Sequence, residues 1–118
     1  MKTLIIGASN NPERYAYKAA ERLLAHGYEI EMLGLRPDII FGKTIDANRK
    51  QYIDIDTVTM YIGPQRQPEY YEYIVSLNPR RVIFNPGTEN FEFEEILTKK
   101  GIIAEEACTL VLLGTGQY

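Results

Sequence analysis

The sequence predicts an α/β chain built on a doubly wound parallel sheet of about five strands, with helices on both faces in three α/β/α layers. Short apolar runs alternate with helical patterns along the chain. The first apolar run, Leu4 to Ile6, stops at Gly7 and gives way to a turn of small residues before a helix. The 118 residues are enough for one packed core, so residues 1–118 are expected to form one domain.

The first β-α-β unit carries the clearest pattern. Lys2 to Ile6 is short, apolar and followed by glycine, which is typical of a buried central strand. From Arg14 to His26, alanine and leucine recur at the spacing of one helix face, and Gly27 is expected to end this helix. Tyr28 to Leu33 is the second strand, so the two strands should be parallel and joined by a right-handed crossover.

The rest of the chain repeats the alternation after one irregular segment. Gly34 to Tyr52 contains Pro37 and Gly42, and we expect a loop there with one short strand near Ile39 to Phe41. Cys108 to Leu113 is apolar enough to pack as a terminal helix or strand. Between them we predict, in order, a strand at Thr57 to Ile62, a helix at Pro68 to Leu77, a strand at Arg81 to Phe84, a helix at Phe91 to Lys100 and a strand at Ile102 to Ala104.

Composition and charge argue against several classes of function. The chain is 45% hydrophobic and 25% charged, as in globular proteins, and its net charge of −3 gives no basic surface for nucleic acid. No apolar run approaches the roughly 18 to 20 residues that span a bilayer. Cys108 is the single cysteine and no secretory signal is visible, so we expect a reducing cytoplasm.

The loops that follow the strands are the expected ligand site, because ligands of open parallel sheets bind outside the carboxyl ends of the strands. Each of these loops contains glycine, proline or small polar residues that let backbone N–H groups approach a ligand. The turn at Gly7 also leaves the first N–H groups of the helix unpaired, at the positive end of its dipole. We therefore expect a small nucleotide-type ligand with phosphate groups. The four loops are Gly7 to Arg14, Gly34 to Pro37, Ile62 to Gln67 and Asn85 to Asn90.

The first turn differs from the dinucleotide fingerprint G-x-G-x-x-G. Ser9 stands where the second glycine is expected, and Pro12 stands where the third is expected. The serine hydroxyl can donate to a phosphate, whereas the missing glycine limits how closely a pyrophosphate can approach. In the alternative interpretation, Gly7 only permits the turn, and Ser9 and Asn10 only cap the helix. For a β–α turn at this position we favour ligand contact.

The end of the second strand carries an arginine, Arg36, where domains that bind NAD usually have a carboxylate for the ribose hydroxyls. An arginine suits a ribose phosphate, such as that of NADP or of the phosphorylated adenosine in coenzyme A. The alternative is that Arg36 is an ordinary solvated loop charge.

Several motifs together resemble a known family. They are Gly7-Ala8-Ser9, Pro12, Arg14, Tyr17, Asn85-Pro86-Gly87, Glu89-Asn90 and Cys108. Over essentially its whole length the chain resembles the small stand-alone CoA-binding proteins, relatives of the CoA-binding domain of succinyl-CoA synthetases. The resemblance implies a Rossmann-like domain that holds coenzyme A (CoA) or an acyl-CoA at the carboxyl edge, with the Gly7 turn at the phosphates and Arg14 as a charge partner.

Two loops depart from the pattern of that family. Family members commonly carry Asn-Pro after the second strand, where this chain has Gly34 to Pro37. They also carry a Phe-Arg pair after the third strand, where this chain has Tyr61 to Pro64, and Arg66 is a candidate replacement. Taken together, the predicted ligand-binding residues are Gly7, Ala8, Ser9, Asn10, Pro12, Arg14, Tyr17, Arg36, Asn85, Pro86 and Gly87.

No residue pattern typical of catalysis or of a metal site is visible. Cys108 has no base near it in the sequence and precedes an apolar run, which favours a buried small hydrophobe. His26 is expected at the end of the first helix, remote from the ligand loops. Tyr15 and Tyr17 lie near the first turn, and either could cover an adenine or pantetheine group. The remaining helical tyrosines, Tyr70, Tyr71 and Tyr73, are expected to pack.

The interpretation we favour is a non-catalytic protein that binds CoA or acyl-CoA. One alternative is an NADP-binding oxidoreductase module that takes its substrate pocket from a partner chain. Another is a regulatory or interaction protein that has kept the fold and lost the ligand, as the two loop departures would allow. A homo-oligomer or a protein partner stays open, whereas nucleic acid and membrane partners are not expected.

Overall fold

Seven strands and four α-helices alternate along the chain in a computed structural model that describes residues 1–118. Two short 3₁₀ turns, Pro64–Arg66 and Pro68–Tyr70, precede the second helix. In chain order the elements are β1 (Lys2–Ala8), α1 (Tyr15–Ala25), β2 (Glu29–Gly34), β3 (Asp38–Ile40), β4 (Lys43–Asp46), β5 (Ile55–Met60), α2 (Tyr71–Leu77), β6 (Arg81–Phe84), α3 (Phe91–Lys99), β7 (Ile103–Glu106) and α4 (Thr109–Gly114).

The strands form one sheet in the order β3-β4-β2-β1-β5-β6-β7. All neighbouring strands are parallel except β3, which runs antiparallel to β4. β1 is central: Leu4 pairs with Glu31 of β2 on one side and with Val58 of β5 on the other. The strand order therefore reverses beside β1, and this reversal opens a crevice at the carboxyl edge of the sheet. The doubly wound α/β class is confirmed.

Helices cover both faces of the sheet. On one face, Ile74 of α2 and Phe93 of α3 are fully buried against the apolar side chains of β1, β5 and β6. On the other face, α1 packs through Ala16, Ala20 and Leu23, and α4 adds Leu113. The three-layer arrangement is therefore the predicted one. No helix has both the length and the apolar composition that crossing a bilayer would require.

The sheet has two more strands than the roughly five expected from the alternating pattern. The segment predicted to be mostly loop forms the β3–β4 hairpin, whose turn residues Phe41 and Gly42 have φ values of 53° and 71°. Positive φ at both central turn residues is typical of a two-residue hairpin. Only Ile40 and Ile45 of the two strands are buried. An edge hairpin that buries so few side chains leaves little apolar pattern to detect.

Two other elements have bounds that differ from the predicted ones. The helix expected at Pro68 to Leu77 begins as a 3₁₀ turn and becomes α-helical only at Tyr71. β5 ends at Met60, so Tyr61 and Ile62 belong to the following loop. The apolar side chain of Ile62 is buried although its backbone is not in the strand, which explains the longer prediction. The C-terminal apolar segment forms a helix, α4.

An ion pair between Asp56 of β5 and Arg80 makes one part of the stability depend on pH. Arg80 Nε and Nη2 donate to the two carboxylate oxygens at 2.9 and 3.1 Å. The hydrogen bond from Arg80 is the main cause that lowers the pKa of Asp56, and burial acts against it. Because the folded pKa lies below the unfolded value of about 3.9, the stabilisation is complete above about pH 4 and is lost as pH falls through the folded pKa.

We expect Asp56→Asn to lower the free energy of unfolding at pH 7 by about 1 kcal/mol or less, because surface ion pairs contribute little. Arg80 is 50% exposed. The variant should also lose part of the acid sensitivity of the parent. Urea unfolding at pH 7 and at about pH 3 measures both effects. Asp54→Asn, which removes an unpaired carboxylate nearby, is the control, and an equal pH dependence in both variants would contradict the assignment.

Candidate ligand-binding site

A cavity of about 800 Å³ opens at the carboxyl edge of the sheet. Residues from the loops that follow β1, β2, β5 and β6 form its walls. Cavities of about 300 to 1,000 Å³ are typical of small-molecule sites. The four loops expected to meet at the reversal of strand order therefore do converge on one cavity.

The turn after β1 lies tightly against the loop after β5. Gly7 has a φ of 95°, and a Cβ atom at this position would lie 3.0 Å from the carbonyl group of Tyr61 and from Cγ2 of Ile62. The N–H of Tyr61 donates to the carbonyl of Ile6 at 2.9 Å and fixes this approach. Glycine is therefore required here both for its backbone conformation and for the lack of a side chain.

Side chains of the same turn organise its backbone. The N–H of Asn11 donates to Ser9 Oγ, and the N–H of Glu13 donates to Asn11 Oδ1, both at 3.0 Å. The N–H groups of Ser9 and Asn10 have no acceptor in the chain. Because Ser9 Oγ accepts, its hydroxyl hydrogen is free to donate to a ligand.

The alternative that Ser9 and Asn10 only cap the first helix is wrong. α1 begins at Tyr15, Arg14 is its N-cap residue, and no side chain accepts a hydrogen bond at that cap. Ala16, in the first turn of the helix, lines the cavity. The first turn of α1 therefore borders the cavity, and no side chain caps it.

Three arginines from three different loops line the cavity: Arg14, Arg36 and Arg66. All three are exposed, and none of their side chains makes an ion pair or hydrogen bond within the chain. By contrast, Arg80, just before β6, and Arg81, its first residue, are paired with carboxylates. Unpaired guanidinium groups around one cavity favour an anionic ligand, since arginine binds phosphate through two parallel hydrogen bonds.

One carboxylate, Asp38, lies in the lining although the sequence places none at the end of β2. β4 is parallel to β2 and β3 runs antiparallel to β4, so β3 begins at the carboxyl edge, where its first residue, Asp38, lies. Asn10 Nδ2 donates to Asp38 Oδ2 at 2.6 Å, and the N–H of Ile39 donates to Oδ1 at 2.7 Å. Both oxygens therefore already accept hydrogen bonds, and the side chain joins the first turn to the hairpin.

The loop after β6 contributes Pro86 and Gly87 to the lining, whereas Asn85 is turned into the protein. Asn85 Nδ2 donates to Thr59 Oγ1 at 2.7 Å and to the carbonyl of Met60 at 2.8 Å. Its Oδ1 accepts from the N–H of Thr109 at 2.8 Å. Each polar atom of Asn85 is therefore engaged with neighbouring elements.

Most of the predicted ligand-binding residues line the cavity, namely Gly7, Ala8, Ser9, Asn10, Arg14, Arg36, Pro86 and Gly87. Pro12, Tyr17 and Asn85 are absent from the lining. Tyr17 packs against Phe41, with ring centroids 4.9 Å apart, so it is Tyr15 that borders the cavity. Tyr70, expected to pack, borders it as well.

The chain's cysteine and histidine lie outside the cavity lining. Cys108 is half-buried just before α4. His26 is exposed at the C-terminal end of α1, with Nδ1 2.8 Å from the carbonyl oxygen of Arg22.

Tyr61 borders the cavity, but its hydroxyl is buried, and burial raises its pKa to about 12. No group of three or more histidine, cysteine, aspartate or glutamate side chains could hold a metal ion.

Comparison with solved structures identifies several similar chains. A crystal structure of an uncharacterized protein is 53% identical with a TM-score of 0.97, covering 99% of this chain and 97% of that one. A conserved hypothetical protein from Pyrococcus furiosus is 26% identical with a TM-score of 0.82, covering 93% and 97%. A Thermus thermophilus protein shares the fold, at 20% identity and a TM-score of 0.85, covering 99% and 90%.

No curated protein matches the chain. Among protein families, the one described as the CoA binding domain matches residues 1–114. This range runs from β1 to the end of α4 and includes every loop that forms the cavity. The chain therefore belongs to the CoA binding domain family.

Proposed function

We propose that this chain is a non-catalytic binding protein for CoA or an acyl-CoA, held in the cavity at the carboxyl edge. The observation that carries the proposal is the set of three unpaired arginines around the glycine turn in one cavity of about 800 Å³. CoA carries a pyrophosphate and a separate ribose phosphate. The phosphate groups of CoA are spread along the molecule, and this spacing suits arginines that lie on three different loops.

The geometry of the loops supports a particular set of phosphate contacts. The free N–H groups of Ser9 and Asn10, together with the hydroxyl of Ser9, suit the pyrophosphate, and Arg14 lies in the same loop. Arg36, on the loop after β2, is assigned to the ribose phosphate. Charge-assisted hydrogen bonds of this kind are roughly twice as strong as neutral ones.

The composition of the lining supports binding rather than catalysis. It contains no cysteine, histidine or lysine, and the oxygens of its one carboxylate, Asp38, already accept hydrogen bonds. A nucleophile with a base beside it, or an acid and base pair, would be needed for most group transfers. Neither arrangement is present in the lining.

Isothermal titration tests the ligand and the role of Arg36 together. We expect the protein to bind CoA about tenfold more tightly than 3′-dephospho-CoA, since one charged contact contributes about 1.5 to 3 kcal/mol. Arg36→Gln should remove this preference and leave the affinity for 3′-dephospho-CoA unchanged.

The affinities for AMP and NADPH test whether CoA is the right ligand. AMP should bind more weakly than CoA, and NADPH should bind more weakly than either CoA form. Tighter binding of NADPH would favour the oxidoreductase alternative. Equal binding of CoA, 3′-dephospho-CoA and AMP would show that neither the ligand nor the assignment of Arg36 is right.

A further inference from the structure

Gln67 is a fully buried polar residue behind the wall of the cavity, with 0% of its surface exposed. Its Nε2 donates to the carbonyl of Ile62 at 3.0 Å and to the carbonyl of Thr88 at 2.7 Å. Its Oε1 accepts from Asn90 Nδ2 at 3.0 Å. Ile62 and Thr88 both line the cavity, so this one side chain joins the loop after β5 to the loop after β6.

The hydrogen bond to Ile62 also fixes the orientation of the next peptide group. The chain contains no cis peptide bond, so the C=O of Ile62 and the N–H of Gly63 point in opposite directions. The carbonyl points at buried Gln67, so the N–H points away from Gln67, and Gly63 itself lines the cavity. The N–H of Gly63 has no acceptor in the chain.

The loop that carries the free N–H of Gly63 packs against the first turn. The preceding residues, Tyr61 and Ile62, contact Gly7 so closely that a Cβ atom there would lie 3.0 Å from them. On the other side, the N–H of Arg66 donates to the carbonyl of Gly63 at 3.0 Å, which folds the Arg66 segment back onto Gly63. Gly63, Arg66 and the first turn therefore line the same cavity.

We propose that Gln67 is a positioning residue that turns the N–H of Gly63 into the cavity as a donor to a phosphate oxygen of the ligand. The inference rests on the proposed function and adds a contact in a loop where this chain has no arginine directly after the strand. An amide side chain suits the role because it supplies two donors for the carbonyls and one acceptor for Asn90. A carboxylate at position 67 would repel both carbonyls.

A pair of substitutions at Gly63 isolates the N–H. Gly63 has a φ of −66°, which proline adopts without strain, and proline lacks the N–H. Gly63→Ala keeps the N–H, and its Cβ would meet only the mobile end of Gln65, at 2.9 Å. We expect Gly63→Pro to bind CoA about tenfold more weakly than Gly63→Ala, which keeps the N–H. Equal affinities of the two variants would overturn the inference.

Amide NMR spectra of the parent protein distinguish failure of this inference from failure of the proposed function. They do not depend on whether any variant folds. In the parent protein, the Gly63 amide signal should shift when inorganic pyrophosphate or CoA is added. A shift with pyrophosphate without CoA binding would leave the inference in place and overturn the CoA proposal. No shift of Gly63 with either probe would overturn the inference itself.

Gln67→Glu tests the positioning role with almost no change in shape. At pH 7 we expect the Gly63 amide signal to move in the free protein and the CoA affinity to fall about as far as in Gly63→Pro. Circular dichroism and thermal unfolding verify that the variant is folded. A folded Gln67→Glu protein with the parent's Gly63 signal and the parent's affinity would show that Gln67 does not position this donor.

Discussion

Replacing Arg14, Arg36 and Arg66 together with glutamine is expected to weaken CoA binding about a thousandfold or more. Each charge-assisted contact contributes about 1.5 to 3 kcal/mol, and every 1.4 kcal/mol corresponds to about a factor of ten in affinity. The three side chains approach the cavity from different loops, so none can take over the contact of another. Because none is paired within the chain, their loss should leave the free energy of unfolding nearly unchanged.

Titration of the triple variant at two salt concentrations provides the measurement. A control variant with the same change of charge is Arg22→Gln with Lys43→Gln and Lys100→Gln, all exposed residues outside the cavity lining. The control should keep the parent affinity, and its binding should weaken with salt as the parent's does. If the triple arginine variant bound CoA as tightly as this control, the cavity would not be the CoA site.

Asn85→Leu should lower the free energy of unfolding by about 3 kcal/mol. The substitution leaves the carbonyl of Met60 and the N–H of Thr109 buried without their partner, and each buried unsatisfied group costs about 1 to 3 kcal/mol. Asn85 joins the end of β5 to Thr109, the first residue of α4, and neither Met60 nor Thr109 lines the cavity. Urea unfolding with an unchanged m-value would measure the effect.

The same variant distinguishes a structural role of Asn85 from ligand contact. At a temperature where it is still folded, Asn85→Leu should bind CoA with nearly the parent affinity, because its polar atoms are engaged away from the cavity. Asn10→Leu is the matched control: Asn10 is exposed and lines the cavity, so its change should cost little stability. If a folded Asn85→Leu protein did not bind CoA, the result would indicate that Asn85 contacts the ligand.

Local patterns in the sequence were sufficient for the first β-α-β unit and for the position of the ligand loops. A buried strand, a glycine turn and a helix with one apolar face are each determined within a few residues. Because the carboxyl ends of parallel strands meet at one edge, predicting the strands also predicted that Gly7, Arg36 and Gly87 would approach one another. The structure places all three residues in the lining of one cavity.

The sequence by itself determined the α/β class, the glycine turn and the family resemblance, since these depend on residues that are close along the chain. Tertiary structure alone decided the roles of residues whose partners are distant. The edge hairpin begins at the carboxyl edge, so Asp38 lies beside the cavity and accepts a hydrogen bond from Asn10, 28 residues away. Long-range hydrogen bonds turn Asn85 inward and join Gln67 to Thr88, 21 residues away. Local patterns report burial and backbone preference, but which polar atoms satisfy one another is decided only when the sheet brings distant loops together.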